Sequence, residues 1–220
     1  MGLPGQSPML LLDFDGTITC HDSEIYVASR VLDEKSRAEL SMLVSLYEHL
    51  KIGVGEYYRR YFSLMDLDPE QWRQLAVMVP IRAGFGDLLA LCQQENIEVM
   101  ILSEGLDLFI EPLLKKLGFA GLSLSCNRVD WQSGKPLVLP ALNAESCERC
   151  VNCKGAYARR FLASGRKVAL VGNGASDLCA ARELDLVFAR DHLARLCHSE
   201  DIPFVQWESF SDINLKLLRS

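Results

Sequence analysis

Three short, mainly apolar runs constrain this chain more than any other feature: residues 9–12, 97–102 (interrupted at Glu98) and 168–171 lead into polar residues, Asp13, Ser103 and, past Gly172, Asn173. Runs of this length and composition read as strands buried on both faces. Residues 186–189 make a shorter fourth run. Helical stretches lie between them, at 107–117 (closed by Gly118), at 155–163, and after the loop 172–177. Strands alternating with helices imply a parallel sheet with helices on both faces. Ligands of such sheets sit beyond the carboxyl ends of the strands. Asp13 and Asp15, Ser103, and Asn173 and Asp177 are therefore expected to converge.

The expected fold class is α/β, a Rossmann-like doubly wound parallel sheet with an inserted helical cap. Residues 22–67 read as helical, with Leu40, Leu43, Tyr47 and Leu50 on one face and Tyr57, Tyr61 and Met65 in a second stripe. Gly53 and Gly55 separate the two stretches and could help the cap flex. Asp68 and Pro69 suit the N-cap and first turn of another helix. The expected division is a core of residues 1–20 and 81–220 and a cap of residues 21–80. A small antiparallel flap is expected at about 121–150, turning at Ser133-Gly134, and the tail from Phe210 reads as helical.

The chain has 220 residues, 49% of them apolar, and a net charge of −6. Such acidity argues against a nucleic-acid partner, whose footprint is a basic face. The first apolar run is too short for a signal peptide, and a membrane span needs about 20 residues. A soluble, cytoplasmic protein with no membrane partner is expected. Eight cysteines in such a chain point to thiols or a metal site before a disulfide framework. Cys147, Cys150 and Cys153 are spaced for Zn²⁺, with Cys126 or His21 as a fourth ligand; buried thiols or a redox-labile pair are preferred to that reading.

The string Asp13-Phe14-Asp15-Gly16-Thr17-Ile18-Thr19 carries the most chemistry. In extended backbone Asp13 and Asp15 point the same way. Like charges so close are costly unless a cation shares them. Mg²⁺ suits the place, since it takes carboxylate and phosphate oxygens together. One aspartate could then attack phosphorus while the other moves protons.

This string resembles the first motif of the haloacid dehalogenase superfamily. Ile101-Leu102-Ser103, Lys154 and Gly172-Asn173-Gly174-Ala175-Ser176-Asp177 resemble the second, third and fourth. The chain looks most like the phosphoserine-phosphatase-like branch. Within it, the Cys-rich stretch before Lys154 and the string Phe188-Ala189-Arg190-Asp191 are similar to the 2-hydroxy-3-keto-5-methylthiopentenyl-1-phosphate phosphatases. The resemblance implies Asp13 as nucleophile, Asp15 as general acid and base, Ser103 as a phosphate contact, Thr17 as a support of the loop, and Lys154 as charge neutraliser. Lys135 and Lys167 compete for that last role, but Lys167 stands at the entering end of its strand. Asp13, Asp15, Asn173 and Asp177 are the implied Mg²⁺ ligands. Asn173 departs from the pattern, which has Asp there, so weaker metal affinity is expected; Asp177 remains for a metal-bound water or for Lys154.

For the substrate side, Asp22, Glu104 and Gly105 are candidates beside Thr17. Asp22 reads equally as a helix N-cap, and Glu104 as a solvent-facing acid at a helix start. An acid at 104 favours cationic or neutral leaving groups and disfavours phosphoserine, unless Arg30, Arg59 or Arg60 supplies a cation. The tyrosines at 57, 58 and 61 with Phe62 read first as cap core and second as active-site roof. The expected function is a Mg²⁺-dependent phosphomonoesterase acting on a small phosphate ester, such as the methylthio-sugar phosphate of methionine salvage. The alternatives are a phosphoserine or phosphocholine/pyridoxal-phosphate type enzyme, or a catalytically weak binding protein that retains the fold because of Asn173. A homodimer through the cap helices is compatible with the sequence.

Overall fold

The computed structural model describes residues 6–49, 51–132, 134–141, 150 and 152–218. It opens with β1 (Met9–Leu12), followed by a wide irregular turn over Phe14–Ile18. Four helices come next: α1 (Ser23–Val31), α2 (Glu34–Glu48), α3 (Val54–Ser63) and α4 (Pro69–Ala76). Then follow α5 (Phe85–Gln94), β2 (Glu98–Leu106), α6 (Asp107–Lys116), β3 (Ser123–Gln132) and β4 (Lys135–Leu139). The last part holds α7 (Lys154–Ala163), β5 (Val168–Gly172), α8 (Leu178–Ala181), β6 (Leu186–Ala189), α9 (Asp191–Ser199) and β7 (Val205–Gln206). No helix among the described residues is long and apolar enough to cross a membrane.

The strands form one sheet in the order β4-β3-β2-β1-β5-β6-β7, parallel except for β4. Burial follows the pleat. Leu10, Leu12, Ile101 and Val171 face one core with α5 and α6, while Met9, Leu11, Leu102 and Leu170 face the other with α7 to α9. The chain steps outward from β1 through β2 to β3, then returns to place β5 on the other side of β1. Strand order reverses at that point, and a crevice opens beyond the carboxyl ends of β1, β2 and β5.

The helices α1 to α4 stand over this crevice. Their entry and exit are tied together: Cys20 N–H donates to Pro80 O at 2.8 Å, and Arg82 N–H to Ile18 O at 2.8 Å. Trp72 of α4 meets Phe109 of α6 edge-on with ring centres 5.9 Å apart, and Phe62 of α3 meets Trp131 of β3 at 6.3 Å. One continuous apolar core thus runs from the sheet into the helices above it.

Several local expectations change. The helical stretch 22–67 breaks at Leu32 and again before α3; Asp33 caps α2 by accepting from Ser36 N–H at 2.8 Å. Gly53 caps α3, and Gly55 lies inside its first turn. Asp68 does cap α4, in a reciprocal capping box with Gln71. The second strand does not close at Ser103. It runs on to Leu106, with a register shift against β3 between Leu102 and Leu106 that lifts Ser103, Glu104 and Gly105 out of the regular ladder. The expected flap is in part sheet: β3 first pairs with β2 in parallel, and only residues 128–132 pair back with β4. Ser133 of its turn, like residues 142–149 and 151, lies outside the described residues. The tail forms two tight turns, over Phe210–Asp212 and Leu215–Leu218.

Candidate active site

The converging strand ends make a cavity of about 370 Å³. Asp13, Asp15, Gly16, Ser103, Gly105 and Asn173 line its floor, and Asp22, Glu24, Ile25, Val44, Tyr47, Tyr57 and Tyr58 its walls and roof. The floor is a charge network. Lys154 is fully buried at the first turn of α7, and its ammonium donates to Asp13 Oδ1 and Asp177 Oδ1. Asp177 Oδ2 accepts from the backbone N–H groups of Asn173 and Gly174, each at 3.0 Å. Thr17 Oγ1 lies 3.0 Å from both Asp13 Oδ2 and Asn173 Oδ1. Asp15 Oδ1 accepts from Ser23 N–H at 2.8 Å and from the Ser23 hydroxyl.

Glycines let these groups approach. A Cβ on Gly105 would lie 2.6 Å from Asp15 Oδ2, and one on Gly172 would lie 2.4 Å from Asp177 Oδ2. Gly16 has φ +77°, and a Cβ there would also meet the Asn173 amide nitrogen at 2.3 Å. Arg82 holds the turn from behind, its guanidinium donating to Thr17 O at 3.1 Å and Gly16 O at 2.9 Å.

The electrostatics follow from burial. Asp13 is pushed up to about 6, because burial penalises its charge and Asp177 repels it, against the pull of Lys154. Asp15 is pushed up to about 8 by burial first and by Asp22 second. Burial alone would lower Lys154, but Asp13 and Asp177 more than reverse this and hold it above its ordinary value. Two aspartates thus share one lysine ammonium with Asp15 close by, and a cavity-side divalent cation would offset the excess negative charge. The donor set fits Mg²⁺, with a carboxylate oxygen from Asp13 and an amide oxygen from Asn173; the Asp15 carboxyl, expected among the ligands, stands beside them with its proton favoured by burial. Both oxygens of Asp177 are engaged, with Lys154 and the loop amides, and it does not line the cavity.

The remaining expected residues divide. Ser103 lines the cavity; its Oγ accepts from Gly105 N–H at 2.9 Å, which leaves its own proton to donate. It is no helix cap, because α6 starts only at Asp107. Thr17 is fully buried and braces the turn instead of lining the cavity. Asp22 both lines the cavity and caps α1, accepting from Ile25 N–H at 2.9 Å. Glu104 lines the cavity at its half-buried rim. Tyr57 and Tyr58 reach the cavity, whereas Tyr61 and Phe62 belong to the core. Arg30 lies over the Tyr26 ring at 4.7 Å and Arg59 pairs with Glu56 at 2.7 Å; neither lines the cavity. Cys150 and Cys153 come together with Cys179, and Cys147 lies outside the described residues.

Glu24 was not singled out from the sequence. It is buried, and it accepts from Tyr58 OH at 2.7 Å and Tyr57 OH at 3.2 Å, while Tyr61 OH donates to its backbone carbonyl at 2.9 Å. Burial, reinforced by Asp22, holds its carboxyl well above the usual range. Asn127 and Asn152 were also missed. They donate to Glu104 O at 2.5 Å and Ser103 O at 2.9 Å and so hold the irregular end of β2.

A family model of haloacid dehalogenase-like hydrolases matches residues 10–182. The 2-hydroxy-3-keto-5-methylthiopentenyl-1-phosphate phosphatase of Exiguobacterium sibiricum is 32% identical over 209 residues, 93% of either chain. The phosphatase of the same name from Brevibacillus brevis is 30% identical over 208 residues, 93% of this chain and 92% of its own. Among solved structures, a phospho-aspartyl intermediate analogue of phosphoserine phosphatase superposes with TM-score 0.66 at 18% identity, over 93% of this chain and 95% of its own. A family hydrolase from Salmonella enterica superposes with TM-score 0.70 at 15% identity, over 98% of this chain and 72% of its own. At such identities the superpositions speak for the fold, and the family rests on the two sequence matches. The chain belongs to the haloacid dehalogenase-like hydrolase family, in its phosphatase branch.

Proposed function

We propose that this protein is a Mg²⁺-dependent phosphomonoesterase that hydrolyses a small phosphorylated metabolite through an aspartyl-phosphate on Asp13. The observation that carries the reading is the network in which Lys154 joins Asp13 to Asp177 beneath Ser103. Phosphoryl transfer spreads charge over the equatorial oxygens, and fixed donors and cations stabilise it. Mg²⁺ held by Asp13 and Asn173, with the protonated Asp15 beside it, would neutralise phosphate charge and orient the ester.

The chain's own residues supply the rest. A carboxylate oxygen of Asp13 attacks phosphorus as the bond to the leaving alcohol breaks. Asp15, protonated beforehand, gives its proton to the departing oxygen. The resulting carboxylate then takes a proton from water, whose oxygen attacks phosphorus, releasing phosphate and restoring Asp13. Ser103 donates to a phosphoryl oxygen, and Lys154 keeps Asp13 anionic despite burial. The helices above exclude bulk water from the intermediate.

On substrate, the likeness to the named relatives supports the methylthio-sugar phosphate of methionine salvage. One observation favours a second reading, a phosphorylated amino alcohol of the phosphocholine type. The lining holds Asp22 and Glu104, the buried carboxyl of Glu24, three tyrosines and no Lys or Arg. Cationic groups suit such a wall, and an anionic leaving group such as serine does not. The test is hydrolysis of p-nitrophenyl phosphate with Mg²⁺, then a panel holding the methylthio-sugar phosphate, phosphocholine and phosphoserine. Turnover of the first ester, lost in Asp13→Asn, supports the reaction class. No turnover of any ester would leave a binding protein with this fold and refute it. The panel's highest kcat/KM decides between the two substrate readings.

A further inference from the structure

Cys150, Cys153 and Cys179 lie together behind the catalytic lysine, outside the cavity. Their sulfur atoms all fall within 4.8 Å of one another, and Cys150 Sγ and Cys179 Sγ are 3.6 Å apart. Cys150 and Cys153 are buried, and with Ala156 they form a small cluster of their own, apart from the two main cores. A disulfide needs a sulfur separation of about 2 Å. Thiolates around a tetrahedral Zn²⁺, each about 2.3 Å from the ion, stand roughly 3.8 Å apart. The observed spacing is close to the second arrangement.

Cys153 stands at the N-cap of α7, directly before Lys154. Cys150 and Cys153 are separated by two residues, the spacing of a chelating turn. Cys179 comes from a different element, α8, two positions after Asp177. Nothing in the local sequence links it to the other two. Gly155 makes the approach feasible, since a Cβ there would lie 2.7 Å from the Cys179 carbonyl oxygen.

We propose that Cys150, Cys153 and Cys179 bind Zn²⁺ as three thiolates, with the fourth position taken by a further donor. The ion is structural. It ties the first turn of α7, which carries Lys154, to the start of α8, which follows Asp177. These are the two segments that present the central ion pair of the floor. The site is independent of the esterase reading, because it is defined by sulfur ligands and lies outside the cavity. Binding releases thiol protons to solvent and changes no oxidation state.

The experiment uses the full chain, purified under reducing conditions from zinc-supplemented medium. Elemental analysis is expected to find about one zinc per chain, and Co²⁺ in its place to give a thiolate-to-cobalt charge-transfer band, which oxygen ligands do not produce. Cys179→Ser is expected to lose both signals, while Cys20→Ser, at an exposed position apart from the cluster, keeps both. Chelation is expected to lower the thermal midpoint of the wild type. Should Cys179→Ser not fold, alkylation of the wild type with and without Zn²⁺, read by peptide mass, replaces it; protection of the three cysteines supports the site. Zinc-free protein without the cobalt band overturns the proposal. So does stoichiometric zinc in Cys179→Ser, or a Cys150–Cys179 disulfide in place of the metal.

Discussion

On the floor of the crevice, Asp13, Thr17, Lys154, Asn173 and Asp177 hold one another through short polar contacts at the ends of β1 and β5 and the start of α7. On the roof, Glu24 of α1 is held by Tyr57 and Tyr58 of α3, and the same tyrosines face the cavity. The floor pairs its carboxylates with a buried lysine. The roof gives Glu24 neutral hydroxyl donors, so that its charge is opposed by burial with no cation beside it. The difference separates two tasks. A charge-paired floor stabilises what every phosphate ester has in common. An acidic, aromatic roof meets only the leaving group, where substrates differ.

Lys154→Met should break the floor. We expect kcat to fall about 10²–10³-fold for every ester. Stability should fall by about 3–5 kcal/mol at neutral pH, since Asp13 and Asp177 would be left buried without their cation. Without Lys154 the folded-state value of Asp13 lies further above its unfolded one. Stability is then retained at low pH, where Asp13 is protonated, and lost as pH rises through its folded value. Denaturant unfolding across pH should therefore show the variant's deficit shrinking on acidification, and a deficit independent of pH would break the account of the floor.

Glu24→Gln should leave the floor intact. A drop of about tenfold in kcat/KM is expected for the best natural ester, with little change for p-nitrophenyl phosphate. Equal losses on both would erase the distinction between floor and roof. Asn173→Asp adds a charge to the donor set, so half-saturation by Mg²⁺ should fall about fivefold. An unchanged titration would remove Asn173 from the ligand set. The smallest effect links the two regions. Asp22, on the roof side, helps to push Asp15 up to about 8. Asp15 must be protonated to act as an acid, so activity should decline as pH rises through that value. Asp22→Asn lessens the repulsion, and the alkaline limb of the kcat profile should move down by about half a pH unit.

Most of the floor was legible in the sequence because its members follow strand ends, and the strands announce themselves as apolar runs. Asp13, Ser103, Asn173 and Asp177 could be placed together once the sheet was recognised, whereas Lys154, at the start of α7, was placed only by the family resemblance. The roof was not legible in the same way. Tyr57, Tyr58 and Tyr61 read as one stripe, and only tertiary packing decides that the first two reach the cavity. Glu24 looked like an ordinary first-turn acid after Asp22. β3 hid for another reason: near the sheet edge it is only partly buried, so it carries no apolar run. Cys179 was missed because its partners lie in a different element. Asn127, Asn152 and Arg82 act on backbone carbonyls, and such bonds leave no spacing to read.

The central claim is that Asp13 carries the phosphoryl group during turnover. Rapid acid quench of the enzyme during hydrolysis of its best ester, followed by peptide mass analysis, tests this directly. One phosphoryl group is expected on the peptide containing residues 9–18, localised to Asp13, appearing before free phosphate and absent from Asp13→Asn. Steady turnover with no phosphorylated Asp13 at any quench time, or with the label on another residue, would contradict it.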